Sequence, residues 1–200
     1  MKRFIFLAPA ILVLVIALCV MATADFPMAG TGQRFKGDGS GTASDPTIPV
    51  VTGTGVVLTL SPTIDTTTYA PGDVLFSTTE LAGATRSTGG RSYVQSIHIL
   101  DEDDQGYGFD LLFLNASTTI GAVNAACAVT DTNARNIIGR ITVTTSDYLD
   151  LGGSRVATLR NVGMMLQSSG TTSIYAAAVT TGTGLHTASG IKLQIGLKQD

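Results

Sequence analysis

The chain has 200 residues, enough for one domain with a sizeable core and crowded for two. Its 23 glycines, its many threonines and serines, and its charged fraction of 14% suit an all-β protein with many turns, and tryptophan is absent. The formal net charge is −3, and without Lys2 and Arg3 the balance is 10 basic against 15 acidic side chains, or −5. A mildly acidic surface whose basic residues are scattered, with Arg34 and Lys36 the densest pair, excludes a phosphate-tracking groove.

Residues 1–24 begin with two charges, continue with an apolar run from Phe4 to Val20, and end in the small-residue triplet Ala22-Thr23-Ala24. That is the layout of a secretory signal peptide cleaved after Ala24, and the same run is near the lower length limit for spanning a bilayer. A competing expectation starts the protein at Met21, with the first twenty residues an upstream in-frame extension. Bulky Leu18 before Cys19 argues against lipid attachment, and removal of the leader leaves Cys127 without an intrachain disulfide partner. Residues 25–49 are rich in Gly, Ser, Thr and Pro without an apolar period, and read as a flexible arm. Within it, Gly37 to Gly41 lacks the Gly-Lys-Ser/Thr of a phosphate loop.

From Val50 onward, residues 50–200 read as one β-sandwich domain. Short β-branched runs recur at Gly55–Leu60, Asp73–Phe76, Val94–Leu100, Phe109–Leu114, Ile138–Thr144, Arg155–Leu159, Val162–Gln167, Ser173–Val179 and Ile191–Leu197, separated by turn residues. The stretch from Tyr93 to Leu114 is expected to be a hairpin with an elaborated loop at the centre of the core, placing Ile97 and Ile99 on one face and Val94, Ser96, His98 and Leu100 on the other. Phe109, Leu111 and Phe113 oppose Leu112 and Leu114, so the second run is expected inside a sheet with cover on both faces. Two later runs alternate cleanly: Ile137, Gly139, Ile141 and Val143 oppose Arg140, Thr142 and Thr144, and Ile191, Leu193, Ile195 and Leu197 oppose Lys192, Gln194 and Lys198. Helix is confined to a turn or two at Ala122–Ala128 or at Thr132–Asn136 with Asp131 as N-cap. About nine short strands without an amphipathic helix between them predict an antiparallel β-sandwich, jelly-roll-like or immunoglobulin-like.

Asp101-Glu102-Asp103-Asp104-Gln105-Gly106 is the most tempting site. Asp101, Asp103 and Gly106 match the first, third and sixth positions of an EF-hand loop, but Gln105 and Leu112 stand where ligands are needed and strands flank the segment. A solvated, charge-repelling hairpin tip is the preferred reading. His98 in a strand and His186 in the loop TGTGLHTASG, with Cys127, lack metal-ligand spacing, and no G-x-S-x-G elbow hosts a nucleophilic serine. Cys127 between two alanines reads as a small buried hydrophobe, and Asn115-Ala116-Ser117 is a glycosylation sequon relevant only in a eukaryotic secretory pathway. The sequence therefore assigns no catalytic residue, no metal ligand and no cofactor, and points to a non-enzymatic module.

Seven segments in order carry a family resemblance: Tyr69–Val74 (YAPGDV), Tyr93–Asp101 (YVQSIHILD), Asp110–Leu114 (DLLFL), Ile138–Val143 (IGRITV) with Asp147-Tyr148, Ala157–Val162 (ATLRNV), Ser173–Ala176 (SIYA) and Ile191–Asp200 (IKLQIGLKQD). In this order the chain resembles small virion structural proteins of tailed bacteriophages, of the head-decoration kind. The resemblance implies a β-sandwich on the capsid surface, without a catalytic role, bound to the major capsid protein or another virion subunit and self-associating as a homo-oligomer. It implies no nucleic-acid partner, and a membrane only through the leader if that is retained. The apolar leader departs from this pattern, because a particle assembled in the cytoplasm does not need one. Read literally, the leader implies instead an exported bacterial β-sandwich that binds a glycan or surface partner. Residues 25–49 are expected to act as a strap across a neighbouring subunit.

Overall fold

Side chains that alternate between oily and polar force two sheets to face each other, and the computed structural model, which describes residues 53–200, has that architecture. The strands are β1 (Thr54–Leu60), β2 (Val74–Leu81), β3 (Arg91–Asp101), β4 (Phe109–Leu114), β5 (Ile137–Val143), β6 (Tyr148–Asp150), β7 (Arg155–Gln167), β8 (Ile174–Thr180) and β9 (Ile191–Gln199). The larger sheet has the order β1-β9-β3-β7-β6 and the smaller one β2-β8-β4-β5, with every strand pair antiparallel. Apart from short β6, which extends the larger sheet beside β7, successive strands from β1 to β5 and from β7 to β9 are distributed between the sheets as in a jelly roll. The leader of residues 1–24 and the arm of residues 25–49 lie outside the described residues.

Inward-facing Ile97, Ile99, Leu193, Ile195 and Leu197 of the larger sheet meet Leu75, Phe76, Phe109, Leu111, Phe113 and Ile174 of the smaller one, all buried. The alternation read in β9 holds without a break. That in β5 is broken at its start, where a register shift opposite Phe113 and Leu114 turns Ile138 to the main core and Ile137 to the outer face.

The expected hairpin of Tyr93–Leu114 does not form. Both edges of β3 are taken by β7 and β9, and both edges of β4 by β5 and β8, so the acidic segment between them arches from one sheet to the other. Nor does Val94 lie opposite Ile97: Gln95 is an extra residue against β9, and this bulge returns Val94 to the core side. In the same place β7 carries extra residues of its own, with Asn161 at φ 56° and Gly163 at φ 67°. The two runs expected at Arg155–Leu159 and Val162–Gln167 are thereby one bulged strand, and β6 is a strand the periodicity did not reveal.

Cover on the second face of β4 comes from residues 115–136. Ile120 packs with Val74, Leu114 and Ala177, and half-buried Cys127, Val129 and Ile137 close round them. Backbone bonds from Val74 N to Ala125 O, Asn124 N to Val74 O and Cys127 N to Gly72 O fix this segment. Its one helical turn, α1 (Asp131–Ala134), is capped by Thr130, whose hydroxyl accepts the Asn133 N–H; Asp131 is the first helical residue and not the cap. Residues 122–128 are not helical: Val123 and Ala126 bridge to Val74 and Asp73 on either side of a turn at Asn124, whose φ is 56°.

Candidate functional site

Jelly-roll connectivity gathers four connections at one end of the sandwich: β1–β2, β3–β4, the β5–β7 segment that includes β6, and β8–β9. Polar residues converge there. Asp101 ends β3 on the inward side and is 1% exposed. Its Oδ2 accepts the Gly106 N–H at 2.6 Å and its Oδ1 the Asp103 N–H at 3.1 Å, which curls the loop round the carboxylate. Gly106, at φ 59°, supplies the left-handed turn that brings its N–H back.

Asp103 reaches across to the β8–β9 loop. Its Oδ2 accepts the Thr187 N–H at 2.8 Å, its Oδ1 the Thr187 hydroxyl at 3.0 Å, and the His186 ring approaches Oδ2 through Nδ1 at 3.3 Å. The same Nδ1 lies 3.7 Å from Asp101 Oδ1. Burial works to raise the Asp103 carboxyl, but the Thr187 N–H, the Thr187 hydroxyl and His186 outweigh it and hold the group below its ordinary value. Gly190 makes the approach possible, because a β-carbon there would overlap Asp103 Oδ2.

Around this clasp lie Tyr107, stacked obliquely on His186 with ring centroids 4.9 Å apart, and Tyr148. The hydroxyls of both and Nε2 of His186 are buried without a hydrogen-bond partner among the described residues. Burial first, with nearby Asp101 contributing, pushes both phenols well above their usual value. Burial likewise raises Tyr69 to about 12. On the rim, Arg155 donates through Nε to Asp104 at 2.8 Å and approaches Asp150 at 3.4 Å, while Lys192 is bound to Glu102 at 2.5 Å.

The acidic segment is thus a tied, partly buried clasp and not a solvated tip. It joins Asp101 and Asp103 to His186, more than eighty residues away, a pairing with no local signal in the sequence. The order of strands is the signal that finds it: once β3–β4 and β8–β9 are assigned to one end of a jelly roll, their loops must meet. His98 sits elsewhere, half-buried on the outward side of the larger sheet with Nδ1 3.0 Å from the Thr158 hydroxyl. Cys127 is half-buried under the outer layer, and burial raises its thiol pKa. The Asn115 backbone is bonded to Asn136, and its side-chain oxygen is buried.

A second feature adjoins the clasp. In register across three strands, Leu100, Val156 and Leu149 form an outward-facing apolar row, continued by Leu151 and bordered by Lys192. Leu149 is 63% exposed and Leu151 59%. Among the described residues no helix is long and apolar enough to cross a membrane.

No family model matches the chain, and no curated protein matches it. Among solved structures, one of infectious bursal disease virus, Gx strain, overlaps it at 15% identity with a TM-score of 0.18, covering 86% of this chain and 41% of that one. The chain spans less than half the length of that viral chain, and so slight a likeness bears no argument about fold or function.

Proposed function

We propose that this protein is a non-enzymatic structural component of a bacteriophage particle, attached to the capsid surface and stabilising it. The observation that carries the reading is the outward-facing apolar row Leu100–Val156–Leu149, half-buried at Leu100 and Val156 and exposed at Leu149, on the larger sheet of the sandwich. Exposed apolar patches with a polar border mark contact surfaces on soluble proteins, and the fully buried centre of an interface is its most apolar part. The edge strand β6, only three residues long, sets this row at the margin of the larger sheet, where a second subunit can cover it. The partner is the major capsid protein or another virion subunit, and a further copy of this chain can share the contact. Fold alone does not assign function, so the reading stands on this surface together with the resemblance of the seven segments to phage head-decoration proteins.

Co-sedimentation of the purified full chain with capsids from the same phage, prepared without it, tests the proposal. Wild type is expected to bind in a saturable way and to raise the temperature at which the capsids break. Leu149→Lys is expected to weaken binding about tenfold or more while keeping the far-ultraviolet spectrum of the folded protein. Folded wild type that ignores the capsids would overturn the proposal, and specific retention on a glycan or bacterial surface would favour an exported binding module in its place.

A further inference from the structure

The geometry points to a binding site for a first-row divalent transition metal at the clasp, with Asp101, Asp103 and His186 as ligands. The three side chains offer a mixed oxygen and nitrogen donor set, and one ligand atom from each lies within 4.8 Å of the others. Bonds of about 2.0–2.2 Å to Zn²⁺ place the donors of a tetrahedral ion about 3.3–3.6 Å apart. The separations from His186 Nδ1 to the two carboxylates, 3.3 and 3.7 Å, are close to that spacing. Three protein ligands leave a fourth position for a water or a partner's side chain. Calcium fits less well, since it takes six to eight oxygens, and one of the three donors here is an imidazole.

Two independent observations favour a cation over a simple loop fastening. The first is charge. Asp101 is almost wholly buried and Asp103 largely so, yet the nearby cationic side chains are engaged elsewhere, Arg155 with Asp104 and Asp150 and Lys192 with Glu102. Two carboxylates are left facing one imidazole, and buried carboxylates are costly unless a positive charge is at hand.

The second is the histidine itself, whose side chain is 1% exposed and whose Nδ1 is aimed at both carboxylates. If Nδ1 carries the proton, the Nε2 lone pair is buried without a donor. If Nε2 carries it, that N–H is buried without an acceptor and the Nδ1 lone pair points at two anionic oxygens. A divalent ion bound by Nδ1 and both carboxylates turns that second, repulsive arrangement into an attractive one. The carboxylates are already oriented for it by the N–H groups of Gly106, Asp103 and Thr187, which is the outer support that metal sites require. Such an ion would staple the β3–β4 loop to the β8–β9 loop beside the apolar row.

Titration calorimetry of the full chain with ZnCl₂, after treatment with EDTA and dialysis, tests the inference. One Zn²⁺ per chain is expected to bind, with a rise in the midpoint of thermal unfolding. His186→Gln and Asp103→Asn are expected to lower affinity about 100-fold or more, whereas His98→Ala and Cys127→Ser leave it unchanged. Gly190→Ala, which removes no ligand but displaces the Asp103 carboxylate, is expected to lower it about 10–100-fold. Because ligand variants can also loosen the fold, Co²⁺ is added to wild type as a second readout, where visible absorption of a four- or five-coordinate ion is expected. Folded wild type that takes up neither Zn²⁺ nor Co²⁺ would overturn the assignment. So would uptake that survives in folded His186→Gln, or binding of Ca²⁺ in preference to Zn²⁺.

Discussion

The space between the two sheets and the end where β3–β4 meets β8–β9 are both buried, but they are buried by different means. Between the sheets, Phe109, Phe113, Ile97 and Ile195 exclude water by shape alone, and none of these four side chains needs a specific partner. At the end, Asp101 is as dry as those residues, yet it is held by two backbone N–H groups and a nearby imidazole. The first region tolerates any apolar set of the right volume, whereas the second depends on individual atoms.

The largest effect expected from this contrast is in the first region. Phe113→Ala, which empties a fully buried site against both β5 and β8, is expected to cost about 3–5 kcal/mol in urea unfolding. A loss below about 1 kcal/mol would mean that the sheets are not packed face to face there.

Next comes Asp101→Ala, expected to cost about 2–3 kcal/mol, because it strands the N–H groups of Gly106 and Asp103 in a dry loop. Asp110→Ala is its counterpart on the outer face of the smaller sheet. That half-buried residue meets exposed Arg140 at 3.8 Å and accepts the Thr142 hydroxyl at 2.6 Å, and its removal is expected to change stability by about 0–1 kcal/mol. Equal losses from the two variants would erase the distinction drawn between the buried end and the surface.

An alkaline titration sharpens the comparison without any mutation. Tyr69, Tyr107 and Tyr148 have folded-state values above their unfolded ones, Tyr69 at about 12 and the others higher in direction. Their contribution is therefore fully present below about pH 10 and is lost as pH rises through the folded-state values. Absorbance near the tyrosinate band is expected to show three phenols that resist ionisation at pH 10 and ionise together as the protein unfolds at higher pH. Three phenols ionising independently near pH 10 in folded protein would place them in water.

The smallest expected effect is chemical. Burial raises the Cys127 thiol, so alkylation by iodoacetamide at neutral pH is expected to be slower in the folded chain than after urea, with little change in stability for Cys127→Ser.

How far each region can be read from the sequence follows from the same contrast. Period-two burial is local, so Ile191, Leu193, Ile195 and Leu197 announce β9 and its inward face before any fold is known. Local pattern also marks where a strand stops, but not where the chain goes next. Seven residues between Asp101 and Phe109 can close a hairpin or cross a sandwich about 10 Å thick, and only the occupied edges of β3 and β4 decide for the crossing. Bulges hide for a related reason. Gln95 shifts Val94 to the core without changing the composition of its strand, and Asn161 breaks an apolar run that the backbone continues. The clasp was least legible, since Asp103 and His186 belong to different loops and become neighbours through the strand order alone.

Quantitative peptide mass spectrometry of density-purified particles tests the central claim most directly. The account predicts peptides from residues 53–200 in a fixed ratio to the major capsid protein, a ratio kept by wild type and lost by Leu149→Lys. Particles free of these peptides, with the protein recovered instead from the culture medium or the cell surface, would contradict it.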